Sequence, residues 1–147
     1  MRKISIATVL LISAILFACK KNDFELRPEE KILNGQSVRN WKISSIVYNE
    51  DQSDLYDSLL FDCEKDNFFS FYDDNKYEEH DSDIVCKVDS ATDVLEEGIW
   101  SVTTDDAYFD IHSSSTLDQK RYTIISISTS QLVMEDSVGI RFTLDAQ

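Results

Sequence analysis

Glycine, proline and histidine are scarce in this chain, at three, one and two of 147 residues. With only Gly35, Gly98 and Gly139, there is no glycine-rich phosphate cradle and no Gly-x-Ser-x-Gly nucleophile elbow. His80 and His112 stand apart, and neither a Cys-x-x-Cys nor a Cys-x-His element occurs. The usual zinc spacings are therefore missing. Positive charge is short as well: 14 Lys and Arg against 28 Asp and Glu, a net charge of −14. Nucleic-acid backbones are gripped by clustered Lys and Arg, so this balance excludes a nucleic-acid partner. It equally opposes docking of the folded domain on anionic lipid. Beyond residue 18 no apolar run approaches the ~20 residues of a spanning helix.

What is present begins with residues 1–18. Arg2 and Lys3 form a basic head, and Ile4 to Ala18 is an apolar run of 15 residues broken by Thr8 and Ser13. That is too short to span a bilayer comfortably, and Ala18 is the small residue expected before a leader's cleavage point. Leu16-Phe17-Ala18-Cys19 resembles the lipobox of bacterial lipoproteins, in which the cysteine is acylated and becomes the first mature residue. Palmitate-type chains on Cys19 would hold the protein on a membrane, several buried chains exceeding the affinity of one. Lys20 after the cysteine, in place of an aspartate retention signal, implies the outer membrane of the cell envelope, on its periplasmic or surface face. Removal of residues 1–18 takes Arg2 and Lys3 and no acidic residue, moving the net charge from −14 to −16.

Residues 19–31 are polar, hold the single proline and read as a lipid-anchored tether; residues 32–147 form one domain. An apolar fraction of 42% and an aromatic fraction of 11% exclude wholesale disorder. With Cys19 assigned to lipid, Cys63 and Cys86 are an even pair in an exported protein, which points to a disulfide. The alternative, zinc or thiol chemistry, lacks the neighbouring ligands it needs.

Short β-type segments recur every 8 to 12 residues, which signals an all-β meander, sandwich or barrel. They cover 38–48, 58–63, 67–73, 77–79, 84–88, 99–103, 108–112, 122–128, 131–135 and 140–144. On the first, Trp41, Ile43 and Val47 share one face, and Ile46 and Tyr48 the other. Phe69, Phe71, Trp100 and Val102 alternate with Ser70, Ser101 and Thr103, so the first set is expected inside and the second outside. Short hairpins suffice throughout, so the economical closure is a small antiparallel up-and-down barrel of about eight strands.

An ordered set of residues carries a family resemblance: Trp41, Cys63-Glu64-Lys65-Asp66-Asn67-Phe68-Phe69-Ser70-Phe71, Cys86, Gly98-Ile99-Trp100, Tyr122-Thr123-Ile124 and Gln131-Leu132-Val133-Met134. It is similar to that of lipocalin-like lipoproteins common in Bacteroidota, which implies a lipocalin-like barrel behind a lipobox. Asp74-Asn75 stand where such proteins usually have a loop glycine. The resemblance implies no defined activity.

No catalytic constellation emerges. Asp73/Asp74, Glu78/Glu79 and Asp105/Asp106 are read as hydrated turn carboxylates, whereas acid–base work needs one carboxyl desolvated. Neither a metal nor a cofactor is expected, and the chain reads as a non-enzyme. Two roles remain. One is an interaction or structural module of the envelope with a filled barrel, presenting acidic loops to a protein partner. The other is a binding protein whose barrel takes a small hydrophobic ligand, lined by Trp41, Phe69, Phe71, Trp100, Phe109, Ile111 and Phe142. The same aromatics would build the core of the filled barrel.

Overall fold

A computed structural model describes residues 27–86, 92–103, 105 and 107–147. Cys19, the leader and most of the expected tether lie outside these residues. The elements are α1 (Pro28–Asn34), β1 (Val38–Tyr48), α2 (Tyr56–Leu59), β2 (Phe68–Tyr72), β3 (Lys76–His80), β4 (Val94–Val102), β5 (Tyr108–Ser113), β6 (Gln119–Ile127), β7 (Gln131–Glu135) and β8 (Ile140–Ala146). Each strand pairs antiparallel with the next, and β8 returns to β1, closing an eight-stranded up-and-down barrel. The expected fold is the observed one.

Period-two alternation drives the closure. On β4, Gly98, Trp100 and Val102 are buried while Glu97, Ile99 and Ser101 are exposed. Phe71, Trp100 and Phe109 meet inside the barrel with ring centroids 5.3–6.2 Å apart. The turn between β2 and β3 works without glycine because Asn75 takes φ 68°, a conformation asparagine tolerates. Its backbone carbonyl then accepts from Trp100 N at 2.8 Å.

One barrel end is plugged by α1. Pro28 sits at the first helical position, where its missing N–H costs nothing. Glu30 accepts from the Arg27 backbone N–H at 2.8 Å, and the Arg27 side chain hydrogen-bonds the Val102 and Thr103 carbonyls. Leu33 is fully buried, and its carbonyl accepts from Trp41 Nε1 at 2.7 Å. Residues 28–31, expected in the tether, form the first part of α1. The proline that suggested a linker instead starts a helix.

Other expectations change locally. Segment 58–63 is not a strand: it is the end of α2 and a run of turns, and the described part of 84–88 has no strand. Both segments lie in long connections at the other barrel end, where Cys63 and Cys86 are bonded with Cα atoms 5.1 Å apart. A register shift between Ile43 and Ser45 re-phases β1. Ile46, expected opposite Trp41, is therefore buried, and Val47 is not in the core. Ser70 does lie opposite Phe71 but is not solvated: its hydroxyl donates to Asn40 Oδ1 at 2.9 Å, and the residue is 3% exposed.

Candidate functional site

Of the seven residues expected to fill or line the barrel, Trp41, Trp100 and Phe109 pack the plugged half as solid core. Phe69, Phe71, Ile111 and Phe142 instead wall a cavity of about 110 Å³ in the unplugged half. Its apolar lining is completed by Ile43, Met134 and Leu144, and its aromatic lining by Tyr77 and Tyr122. Tyr122 meets Phe142 edge-on, with centroids 5.7 Å apart.

Polar groups ring the same cavity: Glu79, Glu96, Ser113, Asp118 and Lys120. Glu79 is not a hydrated turn residue, contrary to the sequence expectation. It lies in β3 two positions after Tyr77, so it points inward, while Glu78 points outward. There Glu78 binds Lys76 at 2.6 Å and the Tyr72 hydroxyl at 2.6 Å. Glu79 and Glu96 are direct register partners on β3 and β4. Burial first, and then the Glu96 charge, hold the Glu79 carboxyl above the usual carboxylate range. Asn67 and Lys120 act the other way, and Glu64 adds to the rise. The nearest hydrogen bond to Glu79 comes from Asn67 Nδ2 at 3.4 Å. The Tyr122 phenol is pushed up to about 12, chiefly by burial and then by Asp136 and Glu96. Burial, and then Glu96, raise Tyr77 as well. Both phenols therefore stay protonated and available as donors.

Gly98 makes room for this wall. A Cβ there would sit 2.7 Å from Tyr77 Cε1 and 2.0 Å from the His112 carbonyl oxygen. Only glycine leaves room for the Tyr77 ring and the His112 carbonyl at this position.

The loops around the open end carry exposed apolar side chains at Leu59 and Phe61, Ile84 and Val85, Leu117, and Val138. The disulfide ties the first two of these loops together. Among the described residues no cluster of three His, Cys, Asp or Glu is arranged to hold a metal, and no helix is long and apolar enough to cross a membrane.

Sequence reasoning missed Glu79, Glu96, Lys120, Tyr77 and Tyr122 as site residues. β4 begins at Val94 and β6 at Gln119, earlier than the apolar alternation suggested, so Glu96 and Lys120 were outside the expected strands. The available signal was parity. Glu79 shares the phase of Tyr77, and Glu96 that of Gly98 and Trp100.

A family model described as a lipocalin-like domain matches residues 38–134. No curated protein matches the chain. Among solved structures, the chain is similar to a protein described as uncharacterized from Bacteroides eggerthii. That match has 7% identity and a TM-score of 0.49, covering 74% of this chain and 97% of that one. It is also similar to a lipocalin-like protein from Bacteroides uniformis, with 14% identity and a TM-score of 0.48, over 72% of this chain and 94% of that one.

Proposed function

Since this chain belongs to the lipocalin-like domain family, we propose that it is a membrane-anchored, non-catalytic binding module of the cell envelope, whose barrel receives an apolar group of a small molecule. The observation that carries this reading is the aromatic-walled cavity in the half of the barrel that α1 does not plug. At about 110 Å³ it is below the ~300–1,000 Å³ of pockets that enclose drug-sized ligands. It is of the order of the ~150 Å³ apolar cavity that takes up benzene. The ligand therefore inserts one ring or a short alkyl branch and leaves its polar end at the rim. Titration with small aromatic and branched-alkyl compounds, followed by NMR shifts of the residues lining the cavity, tests it. Saturable shifts confined to that half support the reading, and their absence overturns it.

The anchor rests on the basic head, the apolar run and Leu16-Phe17-Ala18-Cys19. Cys19→Ser should release the protein from outer-membrane fractions and abolish palmitate labelling; unchanged membrane partition would exclude acylation. A second reading, docking of a basic envelope protein on the rim, is favoured by Phe61 and Leu117. These are 76% and 88% exposed beside acidic loops. Phe61→Ser with Leu117→Ser would abolish such docking and leave uptake of the small molecule intact.

A further inference from the structure

Resting on the binding reading above, we propose that the ligand of the open-end cavity is a cation: an organic ammonium group seated at Glu79 and Glu96, with its apolar part among Phe69, Tyr77 and Phe142. Glu79 and Glu96 oppose each other directly across β3 and β4, and both face the cavity. Like charges placed this way destabilise a sheet, and carboxylates taken from water call for a counter-charge. The described part of the fold supplies none in contact. The Lys and Arg ion pairs found there bind other carboxylates: Arg27 with Glu30, Lys65 with Asp57 and Asp62, Lys76 with Glu78 and Glu97, Arg121 with Asp110, and Arg141 with Glu135.

Lys120 also borders the cavity, from β6, but is exposed and lies beyond ion-pair distance of either glutamate. Asn67, 4% exposed and bonded to Glu79 through Nδ2, leaves its Oδ1 without a donor. The donors in contact at this corner, Asn67 Nδ2 and the Tyr77 phenol, are neutral, so the two carboxyls have hydrogen-bond partners but no counter-charge, and an ammonium group supplies one. The aromatic faces add to the preference, since a cation is attracted to them and an anion is not. An anionic ligand would meet Glu79, Glu96 and Asp118 against a single lysine.

The test compares three probes of similar shape on the full chain by calorimetry: 2-phenylethylamine, 2-phenylethanol and 3-phenylpropanoate. The amine should bind at least threefold more tightly than the alcohol, with the carboxylate weakest. In Glu79→Gln/Glu96→Gln the amine-to-alcohol ratio should fall to about one, with the unfolding midpoint checking that the barrel is intact. A preference below threefold, a carboxylate that binds as well as the amine, or a preference that survives the double substitution overturns the charge assignment. Failure of all three probes overturns the binding reading itself.

Discussion

Replacing Gly98 with alanine tests the packing of the barrel wall most directly. Gly98 lies inside β4 and does not have a positive φ, unlike Gly35 and Gly139. Its backbone would accept alanine, and a strand glycine changed to alanine ordinarily gains about 0.5–1 kcal/mol. Space is what forbids it. The new Cβ would lie 2.0 Å from the His112 carbonyl oxygen and 2.7 Å from Tyr77 Cε1. The tyrosine ring can tilt, but the carbonyl belongs to the neighbouring strand and cannot yield without parting β4 from β5. Overpacking of this kind costs about 1–3 kcal/mol, and a ladder hydrogen bond lost beside it costs roughly 1 more. Set against the backbone gain, the expected net loss is about 1–3.5 kcal/mol, which at roughly 4 °C per kcal/mol lowers Tm by about 4–14 °C. Thermal and urea unfolding followed by the fluorescence of Trp41 and Trp100 would read it. A variant within 1 kcal/mol of the parent would show that the strands are not this close and that Tyr77 does not need the gap.

Trp100→Ala should cost about 3–5 kcal/mol, since the ring packs on Phe71 and Phe109 and donates to the Tyr72 carbonyl; a urea-measured loss below 1 kcal/mol would make it peripheral. The double variant Cys63→Ser/Cys86→Ser opens a loop of 23 residues and should lose about 3 kcal/mol, an expectation that equal urea midpoints would contradict. Glu79 is held above its ordinary value of 4.5 in the folded state, so its stabilising contribution is present below that value and is lost as pH rises through the folded pKa. Glu79→Gln should therefore be more stable than the parent at pH 7 and lose the advantage at pH 4; parity at pH 7 would refute this. Asp110 runs the opposite way: the Arg121 guanidinium, at 2.7 Å through two bonds, lowers its pKa. Asp110→Asn should cost about 1 kcal/mol at pH 7, discounted for the half-exposed arginine, and progressively less as pH falls below the ordinary carboxylate range.

The parts of the fold that were legible in the sequence are those where alternation runs undisturbed. Trp100 and Val102 against Ser101, and Phe69 and Phe71 against Ser70, assign inner and outer faces correctly because nothing interrupts the pleat between them. The cysteine pair was legible because, with Cys19 set aside as the expected acylation site of an exported chain, Cys63 and Cys86 were left as an even pair. Alternation fails where a strand bulges: after Ser44 the inner phase of β1 passes to Ile46, and no residue type announces the shift. It also says nothing of burial on the outer face, where Ser70 is covered through its bond to Asn40. The candidate site was the least legible part. Its polar members, Glu79, Glu96 and Lys120, border the cavity on strand positions that charge assigns to solvent. Only the apolar walls, Phe69, Phe71, Ile111 and Phe142, were visible in advance. α1 was hidden because most of residues 28–31 are charged and Leu33 is the only apolar residue it buries fully, the other buried members being Glu30 and Asn34.

The barrel is sealed by its earliest and latest strands, β1 and β8, which share the longest ladder in the sheet, from Trp41 opposite Ala146 to Tyr48 opposite Ile140. Bringing together segments about a hundred residues apart makes folding slow, because the entropy of closing so long a loop is lost before the contacts form. Until residue 146 is available, β1 and β7 are raw edges able to pair with other chains. A nascent chain therefore passes through an unsealed, association-prone form whatever the stability of its earlier hairpins, and a stop codon before Ile140 would make that form permanent.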